Sequence, residues 1–188
     1  MRIRHACLVL GVWLVPILAS ADSHNADFYG GGSGGGGGSK LAGFIVAFGK
    51  TQLQDLKSPK PVLWGGIGGA SVQFGSHDGR EVTQVVWGAG PRLSFAKPGT
   101  MTFIHAQVQL VGVYTNDGRD IKDGDEKPND FAVVVGAAYD HAFSRTQSGS
   151  TPHPGLGLRF QADRVFNMGD RENIWRLSAG LIYRVPRL

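Results

Sequence analysis

Several side chains in this sequence could do chemistry if the fold brought them together. Arg92, Arg159, Arg176 and Arg184 are cations, Asp140 and Asp163 are anions, and His105, Gln107, Gln109 and Gln161 can donate or accept hydrogen bonds. Guanidinium and carboxylate groups pair through two parallel hydrogen bonds. Such a set either fills a narrow interior with self-satisfied polar groups or lines a narrow pore. Charges persist away from water only when paired, so a plug is the expectation. Neither use calls for a cofactor or a metal, and none is expected. Asp120, Asp123, Asp125 and Glu126 carry oxygens that suit calcium, but their spacing does not match the twelve-residue calcium loop. A solvated acidic loop is expected there. A lipid hydrolase or acyltransferase would need Ser and His on one strand face. His141 and Ser144 are three apart, on opposite faces of a strand, and His153 has no evident partner. The sequence therefore predicts no enzyme.

The elements that must position these groups follow from periodicity. In Ile174 to Val185, Trp175, Leu177, Ala179, Leu181 and Tyr183 fall on one face; Arg176, Ser178, Gly180 and Arg184 fall on the other, with Ile182 the exception. Period two over this length means a long strand. The same alternation sets Ile104, Ala106, Val108 and Leu110 against His105, Gln107 and Gln109. It sets Val85, Trp87, Leu93 and Phe95 against Arg92 and Ser94, and Val133, Val135 and Tyr139 against Asp140. Leu158, Phe160 and Ala162 likewise oppose Arg159, Gln161 and Asp163. Val62 to Gly75 alternates as well, and Leu41 to Phe48 is apolar on both faces. These seven strands are separated by turn chemistry such as His77-Asp78-Gly79 and Lys97-Pro98-Gly99. No helical pattern intervenes, so the sheet is antiparallel. A soluble sandwich would place Lys and Glu opposite its apolar face; here that face holds Gly, Ser, Gln and Arg. Small and neutral-polar residues suit the interior of a closed transmembrane barrel, in which no backbone edge meets lipid. Trp175 and Tyr183, eight residues apart, are placed to form the two aromatic girdles.

The N-terminus reads as a cleaved secretory leader over 1–21: basic Arg2 and Arg4, an apolar run from Ala6 to Leu18, then Ala19-Ser20-Ala21. The single cysteine, Cys7, lies inside it. Without the leader, basic residues fall from 19 to 17 against 15 acids, a net charge of +2, which argues against nucleic acid as a partner. Barrels of this kind use even strand numbers. An eighth, weak strand is therefore expected at Ala26 to Gly30. The Gly/Ser tract Gly30 to Ser39 lacks the following helix and Lys-Ser/Thr pair of a phosphate loop. Its composition also fits an engineered linker, but a flexible first loop, or that loop plus part of a weak strand, is expected. The domain reading is thus a weak strand and flexible loop over 22–39 and a barrel over 40–188.

The stretches Gly88-AGPRLSF, Phe103-IHAQVQLVGV, Leu158-RFQADRVF and Arg176-LSAGLIYRV resemble the eight-stranded outer-membrane barrels of the OmpA type and the small outer-membrane-barrel proteins. The resemblance spans roughly Leu41 to Val185. It implies an all-β, up-and-down barrel in the bacterial outer membrane. It also implies the lipid bilayer and the outer-membrane assembly machinery as partners and a monomer, but carries almost nothing about activity. A structural or surface-interaction role without catalysis is the expected one, with a narrow solute pore and a lipid-modifying enzyme as the alternatives.

Overall fold

The computed structural model describes residues 24–36, 40–52, 62–77, 80–96, 102–116, 129–143, 155–168 and 173–186. The leader at 1–21, the acidic loop at 120–126, Ser144 and His153 lie outside them.

Eight strands follow one another in chain order: β1 His24–Gly36, β2 Lys40–Gln52, β3 Val62–His77, β4 Arg80–Ala96, β5 Phe103–Asn116, β6 Asn129–Ala142, β7 Gly155–Asn167 and β8 Ile174–Pro186. Each pairs antiparallel with its sequence neighbours, and β1 pairs with β8 to close the barrel. His77 and Arg80 are direct partners, so Asp78-Gly79 is the whole connection between β3 and β4. The ends of β1, β3, β5 and β7 and the starts of β2, β4, β6 and β8 share one end of the barrel, called here the hairpin end. The start of β1, the end of β8 and the other strand ends share the opposite end.

Alternation divides the strands into an inner and an outer face. Phe44, Phe74, Phe131, Phe160, Leu177 and Leu181 are exposed on the outside, whereas Arg92, His105, Asp140, Arg159 and Asp163 are buried within. Ile182, the exception in the pattern of β8, is an inward residue and is buried. Outward aromatics gather near both rims: Phe74, Phe131, Phe166 and Trp175 at the hairpin end, Trp64, Phe95 and Tyr183 at the other.

The strand expected at Ala26 to Gly30 runs on, and the expectation of a flexible loop is wrong for Gly31 to Gly36. Gly30 to Gly36 are the second half of β1, paired through Leu41 to Val46 on one side and through Arg176 to Leu181 on the other. Glycine has little intrinsic preference for a strand. Here closure decides, because β1 is the only element that can satisfy the facing edges of β2 and β8. Inside the barrel, small size becomes a requirement. Gly31 and Gly180 face each other, and a Cβ on Gly31 would press on the Ala179 carbonyl oxygen, one on Gly180 on that of Gly30. The outward Gly32 has nothing within 4 Å of a Cβ.

That contrast is testable. Gly32→Ala should raise stability by about 0.4–1 kcal/mol through a less flexible unfolded chain, and Gly31→Ala should lower it by about 1–3 kcal/mol through overpacking. Urea titration of refolded protein reads both; equal effects would mean that β1 does not pack as described.

Candidate functional site: the charged interior

The inward charges form two linked groups. Near the end that holds the chain termini, Asp27 of β1 receives Arg92 of β4 through both carboxylate oxygens, at 3.0 and 2.6 Å. Arg92 also donates to the Thr51 hydroxyl of β2. Arg159 of β7 reaches Asp27 at 3.4 Å and holds Asp140 of β6 in a bidentate pair at 2.7 and 2.9 Å. Arg184 donates to Asp140 at 2.7 Å, and its guanidinium lies 4.1 Å from the centre of the Phe103 ring. Further along the axis, Asp163 accepts from Arg176 through Nε at 3.1 Å and Nη2 at 2.8 Å, and from Gln161 at 2.8 Å and Gln107 at 3.1 Å. Arg176 continues to Ser71, and Gln73 reaches Ser33 in the glycine strand.

The pattern explains two further glycines. Gly49 is the direct partner of Asp27 and Gly136 of Asp163. A Cβ at Gly49 would run into the Arg92 guanidinium and the Asp27 carboxylate, and one at Gly136 into the Asp163 carboxylate. Each carboxylate turns into the space that a glycine on the neighbouring strand leaves empty.

Apolar side chains lie on both sides of these charges. Val86, Val111, Val113, Val134, Val165 and Ile174 pack together toward the hairpin end. Leu63 and Phe103 touch at the other end. Between these layers, an interior space lined by Ile45, Ile67, Val86, Gln109, Gln161 and Arg176 amounts to about 10 Å³, room for at most one water.

All nine predicted lumen residues point inward and are buried: Arg92, His105, Gln107, Gln109, Asp140, Arg159, Gln161, Asp163 and Arg176. Gln109 has no side-chain hydrogen bond to the ion groups. Trp175 and Tyr183 are exposed on the outer face. His141 is also outward, stacked on Tyr139 and edge-on to Phe143. Two features escaped the sequence reading. Asp27 was hidden in a strand too glycine-rich to show alternation, although it answers Arg92. Ser94, His105 and Asp140 form a chain across three strands: Ser94 Oγ lies 2.8 Å from Nδ1 of His105, whose Nε2 lies 2.8 Å from Asp140. Since a carboxylate only accepts, Nε2 donates to Asp140. A neutral ring then accepts from the Ser94 hydroxyl. In serine hydrolases the carboxylate holds Nδ1 and Nε2 serves the serine; here the ring is reversed. Ser94 is fully buried, and Phe103 stacks on the imidazole with ring centres 5.8 Å apart.

An apolar exterior around paired interior charges inverts the layout of a soluble protein and is that of a transmembrane barrel. The chain is an all-β, eight-stranded, closed antiparallel barrel of the outer-membrane type. No family model matches the sequence, and no curated protein matches it. Among solved structures the chain is similar to Neisserial surface protein A (NspA), with TM-score 0.58 and 10% sequence identity over 89% of this chain and 99% of that one. A second similar structure is the outer membrane protein OprG from Pseudomonas aeruginosa, with TM-score 0.46 and 6% identity over 88% and 97% of the two chains. At such identity the NspA likeness is one of fold.

Asp163→Ala should leave Arg176 buried without its counter-ion and cost about 3–5 kcal/mol, read as a lower urea midpoint of refolding in detergent. An unchanged midpoint would mean that water reaches Asp163.

Proposed function

We propose that this protein is a bacterial outer-membrane barrel with a closed lumen and a structural or surface-interaction role, without catalysis. Its outer face would be solvated by lipid, its hairpin end would face outward from the cell, and the assembly machinery would insert it after the leader is removed. The observation that carries this reading is the pairing of the interior charges. Arginines and aspartates pair across the lumen, and apolar layers lie above and below them. Eight strands leave an interior only wide enough for side chains. An ion entering it would have to displace charge pairs already satisfied by one another.

The pore alternative needs a wet path, and against it stand the apolar side chains that the described residues place on both sides of the charges. The enzyme alternative has one observation in its favour, the Ser94–His105–Asp140 chain. Against it stand the reversed ring, the covered serine and an Asp140 already engaged by Arg159 and Arg184. These three side chains serve as structural links among β4, β5 and β6.

Two measurements decide among the readings. Refolded protein in planar bilayers should give no discrete conductance steps; steady steps from a homogeneous preparation would establish the pore instead. Lipid extracted from cells expressing the wild type and Ser94→Ala should have the same mass-spectrometric profile. A modified lipid that disappears with Ser94→Ala would establish the enzyme.

A further inference from the structure

The outer face is not evenly apolar. Where β6, β7, β8, β1 and β2 run side by side, direct partners form a row of small or slender outward residues: Ala137, Ala162, Leu177, Gly34 and Ala42. The row opens a groove of about 790 Å³, walled by Tyr139, Phe160 and Ile104 and almost wholly apolar. One position further toward the hairpin end, Arg164 sits directly above Ala162 on the same outward face, with Trp175 as its cross-strand partner. Its guanidinium carbon lies 5.1 Å from the centre of the Phe166 ring and 5.2 Å from that of Trp175. The buried Nε of Arg164 has no hydrogen-bond acceptor among the described residues. Among the described residues, Glu81 is the one carboxylate on the outward face. It belongs to β4, away from this side of the barrel.

A cation on the lipid face is costly unless it reaches the interface and finds an anion. The two rings hold the guanidinium toward the rim, and the described residues offer it no carboxylate there. At the edge of a bilayer the abundant anion is a lipid phosphate. A second copy of this chain would bring another Arg164 to the same surface, again with no described carboxylate beside it. We infer that Arg164 and the groove beneath it form a binding site for one phosphate-bearing lipid. The phosphate oxygens accept hydrogen bonds from the guanidinium between Phe166 and Trp175. One acyl chain descends past Leu177 into the groove over Ala162, Gly34 and Gly32. This inference rests on the membrane reading given under Proposed function.

Native mass spectrometry of the full barrel refolded in a neutral detergent tests it, with phosphatidic acid, diacylglycerol of the same chains and inorganic phosphate as probes. Wild type should retain one phosphatidic acid in preference to diacylglycerol. Arg164→Gln should lower phosphatidic acid occupancy about tenfold, the loss of one charge-assisted contact, and leave diacylglycerol unchanged. Arg164→Lys should restore most of the preference. Ala162→Phe, which fills the groove, should weaken both lipids, and excess inorganic phosphate should displace neither. Equal phosphatidic acid binding by wild type and Arg164→Gln would overturn the site, as would full displacement by inorganic phosphate. Heat-modifiable migration on denaturing gels, measured in parallel, shows whether each variant has folded. A wild type that gains no compact form in detergent would overturn the membrane reading and the site together; folded variants with unaltered lipid selectivity would overturn the site alone.

Discussion

A peptide group in hydrocarbon has no water to bond, and leaving it unpaired costs several kcal/mol. The rest of this barrel depends on that constraint. It forces β1 and β8 to meet, and it turns seven residues of a glycine-rich tract into a strand that their own propensities would not form. Closure at eight strands then sets the diameter, and the diameter sets what the interior can hold.

Within that narrow bore the inward positions divide between residues that fill space and residues that must vacate it. Arginine suits the first task because its planar fork serves two carboxylate oxygens at once, as Arg92 does for Asp27 and Arg159 for Asp140. Glycine suits the second: Gly49 and Gly136 stand beside carboxylates that a side chain would displace. Buried ion pairs contribute little net stability, since desolvation offsets much of the attraction, but breaking one is expensive. Their consequence here is specificity of register. Sliding one strand past its neighbour by a single residue would turn its charges to lipid and its apolar residues inward.

Much of this was legible in the residues. Strict alternation in β5, β7 and β8 identified strands, and parity alone assigned Arg92, His105, Asp140, Arg159, Asp163 and Arg176 to one interior. What parity cannot supply is partnership, which depends on barrel register. Asp140 draws on Arg159 and Asp163 on Arg176, while Arg92 turns to Asp27. Asp27 went unnoticed because glycines on both faces erase the period-two signal of β1. The glycine tract itself read as a loop because propensity is local and closure is not. The Ser94–His105–Asp140 chain joins residues from three strands and leaves no trace in sequence spacing. Arg164 was overlooked for the opposite reason, being a polar interruption in an otherwise apolar face.

Closure of the glycine-rich first strand into the barrel brings Asp27 onto Arg92 across the lumen. A double-mutant cycle on Asp27→Ala and Arg92→Ala, followed by urea unfolding in detergent, tests it most directly. With the pair buried and bidentate, the two losses should be strongly non-additive, with a coupling of about 2–3 kcal/mol. Losses that add to within about 0.5 kcal/mol would contradict the account, because Asp27 and Arg92 would then not meet inside the barrel.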